Sequence, residues 1–97
     1  GASKAALAAY CRTLAIESAK RGVTVNVVAP GFVDTDMMAK YADHREKMES
    51  QIPAGRFARP EEIGGLVAYL MSPLAGYLTG ATITLDGGLT ASMGLQR

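Results

Sequence analysis

From Ala2 to Arg21 the chain contains neither proline nor glycine, is rich in alanine, and sets Leu7, Cys11, Leu14 and Ser18 three or four residues apart. That spacing predicts one long helix with a narrow face of small and apolar side chains. Gly22 follows where a helix end turns left-handed, and Lys20 and Arg21 stand at the negative end of the helix dipole, so the helix is expected to stop there. The run from Val23 to Ala29 is β-branched and nearly all apolar. It predicts a strand covered on both faces, as in a parallel sheet, with Pro30-Gly31 ending it.

Beyond that break the pattern turns polar. Asp34-Thr35-Asp36 offers cap chemistry for a short helix through about Lys40, and a second, polar helix is expected from Asp43 to Gln51. Few large apolar groups punctuate this stretch, so it is expected to be mobile. Residues 52–59 read as irregular. Pro60 then stands in a first helical turn with Glu61 and Glu62 facing the positive end of the dipole, which predicts a helix to about Met71 that Ser72-Pro73 stops. A loop passes Gly76 to Gly80, a second strand is expected over residues 81–86, and the tail after Gly87-Gly88 shows no clear element.

Helix, strand, helical insertion, helix, strand is the grammar of an α/β fold with parallel strands and right-handed crossovers. Residues 1–97 read as part of a single domain, with the insertion at about 34–56. A sheet of two parallel strands would leave much of Val23 to Ala29 uncovered, so further strands are expected beside the first, from a preceding segment or, less readily, from another chain. Lys4 adds to this. At 100° per residue it lies within about 60° of Leu7 and Cys11, which places a cation on the apolar stripe near the helix start, where the dipole disfavours it. A lysine stem snorkelling at a frayed end and an ammonium held near a ligand both account for the placement.

Composition narrows the class. Hydrophobic residues at 48% and charged residues at 20% exclude a disordered chain, and a net charge of +1 gives no electrostatic footprint for nucleic acid or an anionic membrane. The single cysteine, Cys11, has no internal partner for a disulfide, and neither a leader nor a membrane-length apolar run is present. A reducing, cytoplasmic setting is expected. Cys11 reads as a small core group and His44, set among Asp43, Arg45 and Glu46, as a solvated helix residue.

Gly1-Ala2-Ser3-Lys4-Ala5-Ala6 resembles the second half of the Tyr-x-x-x-Lys active-site motif of the short-chain dehydrogenase/reductase family, commonly Tyr-Gly-Ala-Ser-Lys-Ala. Further matches follow in the family's order. Val25-Asn26-Val27-Val28-Ala29-Pro30-Gly31 resembles the strand and turn that close over the nicotinamide, and Thr35-Asp36-Met37 resembles its Thr-x-Met segment. Arg56 through Ile63 resembles its Gly-Arg-x-x-x-Pro-Glu-Glu-Ile signature, and Tyr77-Leu78-Thr79-Gly80 and Leu85-Asp86-Gly87-Gly88 resemble its closing strand and turn.

The resemblance implies the C-terminal part of a Rossmann-like doubly wound parallel sheet, with the N-terminal nucleotide-binding half absent and the tyrosine expected immediately before Gly1. It implies that Lys4 is catalytic and cofactor-binding: the ammonium holds the nicotinamide ribose hydroxyls and lowers the tyrosine's pKa, and the tyrosine gives its proton to a ketone. Pro30 and Gly31 let the backbone approach the ring, Val33 offers backbone hydrogen bonds to the carboxamide, and Thr35 offers its hydroxyl and amide to the carboxamide or pyrophosphate. Without the resemblance, Pro30-Gly31 is a strand-ending turn and Thr35 a helix N-cap.

Within the family the run Ala-Pro-Gly-Phe-x-x-Thr-Asp-Met is most similar to the 3-oxoacyl-[acyl-carrier-protein] reductases of fatty acid biosynthesis. The implied reaction is reduction of a β-ketoacyl thioester by NADPH, with NADP favoured over NAD, in a homotetramer. Met37, Met38, Tyr41, Met48 and Phe57 either line an acyl pocket or form the buried side of its lid. Arg21 either meets an acidic carrier protein or is a solvated charge at a helix end. Arg56 and Arg59 are expected to brace the turn before the last long helix, and Asp86 to be a turn residue. No metal is implied. A reductase acting on a sugar, steroid or small alcohol is the alternative within the family, and a non-catalytic oligomerisation fragment using Ala5, Ala8, Ala9, Ala15 and Ala19 is the alternative outside it. The sequence holds no glycine-rich phosphate loop, so the 97 residues alone are expected not to turn over substrate.

Overall fold

The alanine-rich opening forms α1, Ala2–Ser18, whose end tightens into a 3-10 turn, Ala19–Arg21. Gly22 stops it at φ 73°, donating its N–H to Ala19 O at 3.0 Å, as the sequence predicts. The structure, a computed structural model, describes residues 2–95.

The first strand begins later than expected. β1 spans Val27–Pro30, because side chains take the backbone partners of the residues before it. Val25 N–H donates to Thr79 Oγ1, Asn26 Nδ2 donates to Leu78 O, and Asn26 Oδ1 accepts from Ala81 N–H, each at 3.0 Å. Such bonds compete with a strand ladder. Pro30 is the last residue of the strand, which ends at Pro30-Gly31 as expected. Val27 N–H donates to Ala81 O and Gly31 N–H to Leu85 O, both at 2.9 Å. Alternate N–H groups point to opposite edges, so the donor that Pro30 lacks faces away from the partner and costs no ladder bond. That partner is β2, Thr82–Leu85, and the two run parallel. With two strands in the sheet, Val27 to Ala29 are half-buried and Pro30 is exposed, the partial cover expected of a two-stranded parallel sheet.

Two compact units divide the chain, Gly1–Ala29 with Leu66–Ile83, and Pro30–Gly65 with Thr84–Arg97. In the first, Cys11, Ala15, Ser18 and Ala75 are buried, and Cys11 Sγ donates to Val25 O at 3.3 Å. Cys11 is thus the core group the sequence predicts. In the second, Ile52 and Phe57 are buried, and the Phe57 ring lies 5.5 Å from that of Phe32. Burying such a ring contributes roughly 1.5–3 kcal/mol.

The polar insertion forms a 3-10 helix of nine residues, Asp36–His44, running directly into α2, Arg45–Ser50. Two separate helices were expected. Neither segment has a buried residue. Little tertiary packing is therefore available to hold the first in α geometry, and the chain takes the tighter i→i+3 form.

Then α3, Pro60–Leu70, starts at the predicted proline. Arg59 N–H donates to Glu62 Oε1 at 2.9 Å, one half of a capping box, while Arg56 forks onto both Glu62 oxygens at 2.7 and 3.0 Å. The arginines brace this turn, as expected. Arg56's hydrogen bond and the Arg59 N–H hold the Glu62 carboxyl down to about 2, against an ordinary 4.5. A carboxyl depressed on folding contributes stability above its unfolded value and loses it as pH falls toward the folded one. The melting temperature is therefore expected to fall between pH 4.5 and 2, and less steeply in Glu62→Gln. Parallel slopes for the two proteins in thermal melts would contradict this.

A 3-10 turn, Pro73–Ala75, leads toward β2. After it comes an element the sequence did not suggest, α4, Leu89–Leu95. Asp86 is the turn residue expected, and it also caps this helix: its carboxylate accepts from Gly88 N–H at 3.0 Å and Thr90 N–H at 2.9 Å. Thr90's side chain and N–H, with the Gly88 N–H, hold the Asp86 carboxyl below its ordinary range.

Candidate functional site

In open α/β sheets ligands bind outside the carboxyl ends of the strands. At that end of β1 the second unit brings together Pro30, Gly31, Val33 and Thr35. Gly31 is fixed by close approach: a Cβ there would stand 2.8 Å from Asp86 Cβ and 2.9 Å from Asp86 Cα. The end of β1 therefore lies backbone to backbone against the end of β2, and this packing is a sufficient reason for the glycine.

Val33 pairs in parallel with Ala58 in an isolated bridge. Ala58 N–H donates to Phe32 O at 2.9 Å, and Asp34 N–H donates to Ala58 O at 2.8 Å. In a parallel bridge these bonds use the residues flanking Val33, so Val33's own N–H and C=O point the other way. Among the described residues neither has a hydrogen-bond partner. Thr35 occupies the N-cap position of the 3-10 helix, yet its side chain makes no cap hydrogen bond; Met38 N–H bonds Thr35 O instead, at 2.9 Å. The N-cap account of its hydroxyl is not realised.

Lys4 lies in the first unit. At 100° per residue it falls within about 40° of Cys11, Ala15 and Ser18, on the buried stripe of α1. Even so, Ser3 through Leu7 are all exposed. The apolar stripe thus holds as drawn only from Cys11 onward, Leu7 being 51% exposed. Arg21 is exposed, with Nη2 3.4 Å from Ser18 Oγ. The alanines do not form one face: Ala15 is buried, while Ala5, Ala9 and Ala19 are exposed. His44 is exposed as expected.

Of the proposed lid residues Phe57 is buried, Met38 and Met48 are half-buried, and Met37 and Tyr41 are exposed. Sequence reading missed the contacts of Asp34 and Arg45. Arg45 forks onto Asp34, Nη1 to Oδ1 at 3.0 Å and Nη2 to Oδ2 at 3.1 Å, and its guanidinium stands 4.5 Å from the Phe57 ring centroid. The Arg45 hydrogen bonds hold the Asp34 carboxyl below its usual range and, reciprocally, raise Arg45. Eleven residues separate the two, too far for a helical spacing rule to pair them. A cavity of about 140 Å3 beside Phe32, Ile52, Ala54 and Leu85 also touches Arg56, Glu62 and Asp86. These charged groups are already engaged with one another or with backbone.

Among the described residues no group of acidic, histidine or cysteine side chains is arranged to hold a metal, and no helix is long and apolar enough to cross a membrane. A family model described as Enoyl-(Acyl carrier protein) reductase matches residues 1–90. Nodulation protein G of Azospirillum brasilense is 48% identical over 89 residues, covering 91% of this chain and 36% of that protein. The Escherichia coli protein 3-oxoacyl-[acyl-carrier-protein] reductase FabG is 47% identical over 89 residues, with the same 91% and 36% coverage. The chain thus spans little more than a third of the length of these relatives. The structure of a double mutant of the Serratia marcescens short-chain dehydrogenase/reductase superposes with a TM-score of 0.83 at 41% identity, over 91% of this chain and 36% of that one. The likeness runs through sequence and fold alike, and the chain belongs to the short-chain dehydrogenase/reductase family.

Proposed function

We propose that this chain is the C-terminal portion of an NAD(P)H-dependent reductase that converts a ketone to a secondary alcohol, with a 3-oxoacyl thioester carried on acyl carrier protein as the favoured substrate and NADP as the favoured cofactor. The observation that carries this reading is the Val33 peptide. A carboxamide has one donor and one acceptor, and an outward N–H and C=O on one residue complement both. Val33 is half-buried as a residue, and an N–H and C=O without partners on it suit a ligand of that shape.

When bound, the dinucleotide supplies the hydride. This chain's own residues would hold and orient it, the proton coming from the tyrosine that the resemblance places before Gly1: Val33 orients the carboxamide, Pro30 and Gly31 keep side chains out of the ring's way, and Thr35 offers a hydroxyl with no competing cap bond. Lys4 contributes an ammonium to the ribose hydroxyls and to the field that eases proton transfer to the carbonyl oxygen. Its place on the α1 stripe, beyond the covered turns, supports that role. Exposed Ile16, Met71 and Leu74, at 77%, 81% and 82%, support reading their surroundings as faces covered elsewhere in the protein, including a homotetramer. Exposed Arg21 at the end of α1 suits an acidic carrier. A cytoplasmic setting fits the free, buried Cys11.

The test is a graft. Residues 1–90 replace the aligned segment of the Escherichia coli relative, and NADPH-dependent reduction of a 3-oxoacyl thioester is measured, with the 97-residue chain alone as control. The graft is expected to work within about tenfold of its parent, a difference of about 1.4 kcal/mol in barrier; the chain alone is expected to be inactive. A graft that folds and binds NADPH but reduces only small ketones would remove the acyl reading. One that folds without binding either dinucleotide would remove the whole proposal.

A further inference from the structure

We propose that Asp34 and Arg45 are positioning residues whose forked ion pair clasps the segment after β1 and holds the Val33 peptide outward, toward a nicotinamide-type carboxamide. The target rests on the reading of Val33 given above; the clasp rests on its own geometry.

The backbone anchor of this segment is slight. Phe32 and Asp34 bond one residue, Ala58, and the bridge is isolated. Two neutral peptide hydrogen bonds are a modest net tie, since each replaces a bond to water. With so little, the strip from Phe32 to Thr35 would exchange readily with water. Asp34 adds a second tie from the side chain. Its fork to Arg45 is charge-assisted and planar, roughly twice as strong per bond and far more directional.

The other end of that tie is anchored in the core. The Arg45 guanidinium stands 4.5 Å from the centroid of the Phe57 ring, Phe57 is 3% exposed, and Glu49 Oε1 lies 3.6 Å from Arg45 Nε. Cation–π contact and the second carboxylate hold the guanidinium in one orientation. Asp34 directly follows Val33, so fixing it fixes the peptide that carries the Val33 carbonyl. Because Arg45 begins α2, the pair also closes the nine-residue 3-10 helix into a loop pinned at both ends. The order of that loop and the presentation of Val33 are thereby coupled.

The side chains of Arg45 and Asp34 remain 38% and 50% exposed, and pairs of that kind add little to global stability. The clasp therefore acts locally, which separates it from a merely structural role. The test uses the whole polypeptide that carries this sequence, with Asp34→Asn, Arg45→Met, Arg45→Lys and the reversed pair Asp34→Arg with Arg45→Asp. NADPH, NADH and ADP-ribose, which lacks the nicotinamide, are titrated; amide exchange at residues 33–37 is followed without ligand; melting temperatures are recorded.

Asp34→Asn and Arg45→Met are expected to weaken the reduced dinucleotides about tenfold and to speed amide exchange about tenfold, with ADP-ribose affinity unchanged. Melting should shift by no more than about 3 °C. Arg45→Lys should fall between, and the reversed pair should recover most of the loss. Unchanged exchange in both single variants would overturn the clasp, as would equal weakening of ADP-ribose or a large fall in melting with no recovery in the reversed pair. If the unsubstituted protein binds no dinucleotide, the Val33 reading fails, and with it the assigned target, while exchange still decides the clasp.

Discussion

Lys4→Met in the active graft is expected to lower kcat/KM by about 100-fold or more, in the range typical of a lost acid–base arrangement, while leaving the melting temperature where it was. The two halves of that result have separate causes. Lys4 is exposed, and among the described residues its side chain makes no hydrogen bond or ion pair, so its replacement removes no side-chain polar contact from the fold; surface changes of that kind usually stay within about 0.5 kcal/mol. What it removes, on the proposed reading of the site, is an ammonium for the ribose and for the acid's pKa. The measurement is steady-state reduction against pH, beside a thermal melt. Lys4→Arg keeps the charge but replaces a compact ammonium with a planar fork, so partial rescue with an altered pH profile is expected. A loss smaller than about threefold in Lys4→Met would remove this residue from the chemistry and reduce it to a solvated helix start.

The second large effect is on folding. Gly31→Val places a branched side chain where a single Cβ would already stand 2.9 Å from Asp86 Cα. The obstacle is backbone and cannot rotate away, so either the 2.9 Å bond from Gly31 N–H to Leu85 O opens or the turn after β2 shifts. Overpacking of this kind costs typically 1–3 kcal/mol, and the upper end is expected because the obstacle is main chain on both sides. Gly64→Ala gives the opposite sign. It lies inside α3, where an added Cβ meets nothing within 4 Å, and trading glycine for alanine in a helix is expected to stabilise by about 0.5–1 kcal/mol. Denaturant melts of the two variants against the parent decide it. Gly31→Val melting like the parent would show that the two strand ends are not packed as described.

These contrasts mark where sequence reading succeeds. α1 with its Gly22 stop, the Pro60 start of α3, the parallel sense of the strands and the buried Cys11 were all legible, because each follows from local spacing or from one residue with a fixed conformational habit. The misses share a different cause. Val25 and Asn26 have strand-like surroundings, but the Val25 N–H and the Asn26 side chain bond Thr79, Leu78 and Ala81, more than fifty residues away. α4 was hidden because its cap, Asp86, read only as the end of a strand. Asp34 was read as cap chemistry and Arg45 as part of a polar surface; their fork across eleven residues depends on how a 3-10 helix turns back, which no periodicity encodes. The outward Val33 peptide was reached by likeness to a family and not by pattern, since a free N–H and C=O leave no mark in the side chains.

Asn26 carries a last implication. Its two bonds ask one side chain to give a proton to Leu78 O and receive one from Ala81 N–H, both at 3.0 Å. A carboxylate can satisfy only the second, leucine neither, and glutamine carries the same head one methylene too far out. The slot is therefore chemically selective for a short primary amide, and its selectivity comes from stitching together distant parts of the main chain, with no ligand involved. An asparagine at this point is a fingerprint of the scaffold, and would be retained by a relative that had lost every trace of redox chemistry.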